Sequence, residues 1–203
     1  MINVKAFTPK DKFGSNAYLL SVDDEYAIID PSVDYSTLSK QYPDIIGKIK
    51  YILLTHCHFD HILEINSWRD VCDKVIIGEG DALGLSDPHL NCYLGFLGIE
   101  AGYYGKYTAV KDGDILPIGQ KKIRVISTPG HTPGCVCYRI DDVLFTGDTV
   151  FEKGGYGRCD LPGGDIDTLE RSLIKLLTHE QDADVYPGHG SKTTIKDIVT
   201  FFI

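Results

Sequence analysis

The chain has 203 residues, 43% hydrophobic and 24% charged, with 20 Lys and Arg against 29 Asp and Glu for a formal net charge of −9. That length suits one domain, taken as residues 1–203, and an acidic chain without a Lys/Arg cluster argues against nucleic acid or anionic membrane as partners, leaving a small-molecule substrate. No run reaches the length of a membrane span, and Lys10, Asp11 and Lys12 interrupt the N-terminal stretch, so a cytoplasmic location with six free cysteines is expected.

In chain order, INVKAF, NAYLLSV and EYAIIDP read as three short strands separated by Gly-Ser and Asp-Asp turns. DYSTLSKQY reads as a helix broken at Pro43, and KIKYILLT as a buried strand, apolar from Ile49 to Leu54 except at Lys50. Ile62, Ile65 and Trp68 then recur every three residues, which predicts a helix from His61 to Val71. KVIIG is a strand and GDALGL a helix. Residues 87–109 fit neither period. They carry Gly95, Gly98, Gly102 and Gly105 among Tyr93, Phe96, Tyr103, Tyr104 and Tyr107, and are expected to form a long loop with room for a short helix. KIRVIST, VCYRI and VLFTGD are strands, the last two around an Asp141-Asp142 turn; Cys135 and Cys137 read as small core residues. A helix capped by Asp167, with Glu170 three residues on, runs to about Leu177. DVYPGHG is a last strand and loop, and TTIKDIVTFFI a last helix. Two strand-rich halves with interspersed helices suggest a layered α/β sandwich.

Four of the strands end alike, in a Gly or Thr turn that holds a metal-type ligand: YILLTHCHFDH, VISTPGHTPG, VLFTGD and VYPGHG. The ligand-type residues are His56, His58, Asp60, His61, His131, Asp148 and His189, which include five of the seven histidines. One histidine in a strand-end loop is ordinarily a polar surface residue; four such turns in one chain are a different observation. In His56-x-His58 an extended backbone sends both rings to one side, while Asp60 and His61, at the start of the expected helix, face another way. One segment can thus serve two adjacent metals. Imidazole and carboxylate suit zinc first, with iron or manganese as alternatives.

Taken together, THCHFDH, TPGHTPG, LFTGD and YPGHG resemble the metallo-β-lactamase superfamily over nearly the whole chain, and TPGHTPG, LFTGDTVFEKGGYGRCDLPGGD and VYPGHGSKTTI are most similar to its glyoxalase II-like hydrolases. The resemblance implies an α/β fold, the four-layer αββα sandwich, with the site at one edge of the two sheets. It implies that His56, His58 and His131 hold a first divalent metal, that Asp60, His61 and His189 hold a second, and that Asp148 bridges them. The family's first motif usually continues Asp-His-x-x-Gly; Glu64 stands at that Gly here, which questions the local helix packing. The C-terminal helical domain of full-length glyoxalase II has no counterpart in this sequence, which weakens the case for lactoylglutathione itself.

The expected function is therefore metal-dependent hydrolysis of a thioester, hydroxyacylglutathione-like, by a hydroxide bridging two metals, with Asp60 and Asp148 as the catalytic carboxylates orienting it. No G-x-S-x-G nucleophile is present. Arg158 in GYGRCD is the candidate clamp for a substrate carboxylate. The alternatives are an iron-dependent persulfide dioxygenase, similar in TPGHTPGC, and a lactone or ester hydrolase. A secreted β-lactamase is disfavoured by Asp148, where the main zinc enzymes often have Cys. The oligomeric state is left open.

Overall fold

The computed structural model describes residues 1–8, 13–72 and 74–202; Lys10, Asp11 and Lys12 lie outside the described residues. The first half builds one six-stranded sheet. β1 (Ile2–Phe7), β2 (Ala17–Val22) and β3 (Glu25–Ile29) pair antiparallel, and β4 (Ile49–Leu53), β5 (Val75–Gly78) and β6 (Thr108–Val110) continue from β3 in parallel. The second half builds the other. β7 (Ile115–Ile118), β8 (Lys121–Ser127), β9 (Val136–Ile140) and β10 (Val143–Gly147) run antiparallel, β11 (Asp184–Pro187) lies parallel to β10, and β12 (Thr193–Thr194) closes the edge.

Period-two side-chain alternation makes four layers from these two sheets. In β4, Tyr51 and Leu53 point to the interface between the sheets, with Tyr18, Leu20 and Ile29 from the first sheet and Val125, Tyr138 and Phe145 from the second. Ile52 and Leu54 point the other way, onto α1 (Tyr35–Gln41) through Leu38 and onto Ile45, Ile62, Ile65 and Trp68. The outer face of the second sheet, with Cys137, Leu144 and Val185, buries the stripe Leu169, Leu173 and Leu176 of one helix and Ile195 and Ile198 of the next. These layers form the expected αββα sandwich. All six cysteines are free, and Cys135 and Cys137 are buried. Among the described residues no helix is long and apolar enough to cross a membrane.

Several elements differ from expectation. No α-helix follows His61. The amides of Ile62, Ile65 and Val71 bond three residues back, and the Glu64 amide leaves the segment for the Pro31 carbonyl at 2.9 Å. The result is turns and a 3₁₀ stretch, Ile65–Trp68. The threefold spacing of Ile62, Ile65 and Trp68 is the 3₁₀ period itself, which puts all three on one buried face. GDALGL likewise forms two 3₁₀ turns rather than a helix. The expected loop 87–109 contains the five-residue helix α2 (Tyr93–Leu97) and ends in β6; Asn91 pins it by donating to the Ala101 carbonyl at 3.2 Å. β6 and β7 are short and largely exposed, and Pro117 places β7 at a sheet edge. Helix α3 (Ile166–His179) is capped by Asp165, not Asp167: the Asp165 carboxylate accepts from the Thr168 amide at 2.7 Å, and its own amide is held by the Gly130 carbonyl at 2.8 Å. The last helix, α4 (Ile195–Val199), is capped by Thr194.

Candidate metal centre

The turns after β4, β8, β10 and β11 meet at one edge of the sandwich and bring all seven ligand-type residues together. In each of three groups the donor atoms lie within 4.8 Å of one another: His56, His58 and His131; His56, His61 and Asp148; and Asp60, His61 and His189. His131 Nε2 is 2.9 Å from His58 Nδ1 and 3.2 Å from His56 Nε2. Asp148 faces both ends of the cluster. Its Oδ1 is 3.1 Å from His61 Nε2, and its Oδ2 is 3.6 Å from both His131 Nε2 and His189 Nε2. Asp60 Oδ2 is 3.1 Å from His189 Nε2 and 3.6 Å from His61 Nε2.

The outer hydrogen bonds decide which ring nitrogens turn inward as lone pairs. His61 Nδ1 faces Asp30 Oδ2 at 2.8 Å, so Nδ1 carries the proton and Nε2 faces the cluster. Thr55 has one hydroxyl proton and gives it to Asp30 Oδ2 at 2.7 Å, so at 3.1 Å it accepts from His56 Nδ1. His131 Nδ1 donates to the Arg158 carbonyl at 2.6 Å. The Nε2 atoms of His56, His61 and His131 therefore converge on a buried space. His58 Nε2, His61 Nε2 and Asp148 Oδ1 are buried without a hydrogen-bond partner. Converging ring nitrogens beside two carboxylates, with buried polar atoms left without partners, are what a cation would satisfy, so these residues fit divalent metal.

The protonation pattern divides the cluster. Burial, together with the neighbouring rings of His61 and His131, holds His56 well below the ordinary imidazole range. Burial and His131 push His58 down to about 3. Burial acts against the charge of His61 too, but the carboxylates of Asp60, Asp148 and Asp30 outweigh it and hold His61 well above the usual value. His189 is raised against its own burial, chiefly by its hydrogen bond with Asp60. Burial favours the neutral form of Asp60 and Asp148, yet the cationic charge of His61 holds both below the usual carboxylate range.

Supporting residues invisible in the ligand motifs complete the centre. Asp30, directly after β3, also accepts from the Thr55 amide at 2.8 Å and has a left-handed φ of 49°. Asp81 binds the Cys57 amide at 2.9 Å, the Thr132 hydroxyl at 2.7 Å and the Gly134 amide at 2.6 Å, joining the His56–His61 turn to the His131 turn. Asn16 donates to the carbonyls of Pro187 and Gly190, both at 3.0 Å, and so sets the His189 loop. The one sequence signal for Asp30 is a polar residue closing an apolar strand before proline. Gly188 is required by close approach: a Cβ there would lie 2.3 Å from Asp148 Oδ1. Arg158 lines the cavity over the centre, and the Nε–Nη2 edge of its guanidinium grips Asp160 through two 2.6 Å bonds.

Comparison with known proteins agrees with this geometry. Residues 11–189 match the metallo-beta-lactamase superfamily. The chain is 34% identical over 191 residues to the probable metallo-hydrolase YqgX of Bacillus subtilis, covering 92% of this chain and 90% of that one. It is 33% identical over 194 residues to the hydroxyacylglutathione hydrolase GloC of Haemophilus influenzae, covering 92% and 91%. Among solved structures it is similar to the BLEG-1 B3 metallo-beta-lactamase, with a TM-score of 0.87 at 33% identity over 98% of this chain and 97% of that one.

Proposed function

The chain belongs to the metallo-beta-lactamase superfamily, and from that premise we propose that it is a two-metal hydrolase of thioesters, hydroxyacylglutathione-like in its chemistry. The observation that carries the reading is the position of Asp148, one carboxylate facing donors of both outer groups. In this reading His56, His58 and His131 hold one divalent ion, Asp60, His61 and His189 hold the other, and Asp148 lies between them. Zinc suits this nitrogen and oxygen set, as do iron and manganese.

Bound there, the ions would supply Lewis acidity and bring the pKa of water toward neutrality. The chain's own residues do the rest. Asp60 and Asp148, both held ionised and both lining the cavity, accept hydrogen bonds from the attacking oxygen and aim it at the carbonyl carbon. Asp30 and the Arg158 carbonyl hold the proton-bearing nitrogens of His61 and His131 outward and keep their Nε2 atoms aimed inward. The test is metal analysis of protein purified without added metal, with thioester hydrolysis and oxygen uptake assayed on the same sample. About two metal equivalents with thioester turnover are expected. About one iron with persulfide-dependent oxygen uptake would replace the hydrolase with the dioxygenase. A second reading, lactam hydrolysis, draws on the 33% identity to the BLEG-1 enzyme and is checked with a chromogenic cephalosporin in the same assay.

A further inference from the structure

The cavity over the metal centre has walls that hydrolysis alone does not require. It encloses about 410 Å³, with five of the seven donors at its floor. Its walls are Phe13, Phe59, Phe96, Phe151, Tyr156 and Leu161. Phe59 packs against Phe96 at 5.4 Å and Phe13 at 6.5 Å between ring centroids, and Phe151 meets His189 edge-on at 5.8 Å. Phe13, Phe96 and Tyr156 remain 49%, 46% and 46% exposed. Apolar surface left in water around one polar floor favours whatever covers it, by about 25 cal/mol per Å².

The charge of the walls is as informative. Arg158 is the one Lys or Arg among the described residues lining the cavity, and the Nε–Nη2 edge of its guanidinium is on Asp160. Its guanidinium also lies 6.0 Å from the Phe96 ring centroid. A substrate carboxylate would meet a cation whose charge Asp160 already offsets. A cavity of this size holds an acyl group and the scissile atoms. A long polar carrier drawn into it would lose water along its amides with few partners to replace it.

We propose that the substrate carries an uncharged, aromatic-sized apolar group directly on its scissile carbonyl, which these rings enclose, while any charged carrier stays outside the cavity. The inference rests on the hydrolase reading and narrows its substrate class to aryl-acyl or similarly bulky apolar thioesters.

The experiment compares phenylacetyl, acetyl and lactoyl thioesters, each on N-acetylcysteamine and on glutathione, with the metal-loaded enzyme. Phenylacetyl is expected to exceed lactoyl in kcat/KM by about tenfold or more on both thiols. Phe96→Ala, at a half-exposed position that tolerates truncation, should narrow that ratio. Asp160→Asn, which loosens the hold on Arg158, should raise glutathione thioesters relative to their N-acetylcysteamine counterparts. A lactoyl preference, or rates that follow the thiol and ignore the acyl group, overturns the proposal. Absence of turnover with every thioester would sink the hydrolase reading instead. The cavity is then decided by ligand-observed NMR with the ketone analogues in which methylene replaces sulfur. Tighter binding of the phenylacetyl ketone, weakened by Phe96→Ala, upholds the acyl preference, and equal binding of the lactoyl ketone overturns it.

Discussion

The two outer donor groups of the centre are built from opposite materials. His56, His58 and His131 are all imidazole, 0%, 3% and 2% exposed, and the pKa values of His56 and His58 are pushed down. Asp60, His61 and His189 mix carboxylate with imidazole, leave the His189 side chain 42% exposed, and hold His61 and His189 above the usual range. The first group is closed, and burial favours the neutral rings of His56 and His58. The second is open to the cavity, and its carboxylates favour the protonated forms of His61 and His189. The contrast teaches that one cluster can offer a cation two kinds of seat: one where burial favours neutral rings, and one where the cation competes more strongly with protons.

The largest effect should come from breaking the closed group. His58→Ala is expected to lose most of the bound metal and nearly all activity, read by metal analysis and thioester turnover on the same preparation; a variant retaining both would sink the assignment of ligands. Asp30→Ala comes next. It frees His61 Nδ1 and leaves Thr55 without its acceptor, so metal affinity should fall by about 10- to 100-fold, measured by competition with a chromogenic chelator.

Opening the exposed group further sharpens the comparison. His189→Ala should release about one metal equivalent and keep the other, whereas loss of both would show that the groups are not separable. The same difference gives a pH signature. Groups with raised pKa hold protons to higher pH, so metal in the second group should leave first as pH falls, and metal in the first group should persist lower, since His56 and His58 are pushed down. Metal content after dialysis across that range reads the order, and simultaneous release would remove the distinction. The smallest effect is expected from Arg158→Ala, which removes an exposed pair with Asp160 and should change kcat/KM for an uncharged thioester by less than about threefold. A selective loss for a thioester that carries a carboxylate, such as that of glutathione, would restore Arg158 as a carboxylate clamp.

What was legible in the chain follows from how local each signal is. Alternating and continuous apolar runs marked β1 to β5 and β8 to β11, because burial on one or both faces writes itself into neighbouring residues. The three-residue β6 and the Pro-containing β7 left little trace, since exposed edge strands need few apolar positions. The segment after His61 carried a true period that belongs to a 3₁₀ turn. Whether such a run becomes an α-helix depended on the Glu64 amide bonding Pro31, a partner 33 residues away that no local pattern announces.

The sequence by itself determined the layered α/β class and the inventory of donors, because strand-end turns crowded with histidine and aspartate are local and chemically unmistakable. Only the tertiary structure decided how those donors divide into a closed and an open group, that Asp30, Asp81 and Asn16 aim and join the turns, and that Arg158 is engaged by Asp160. The physical reason is distance along the chain. His58 and His131 are 73 residues apart and Asn16 and Pro187 are 171 apart, so their meeting is set by the packing of two sheets and not by anything their neighbours in sequence encode.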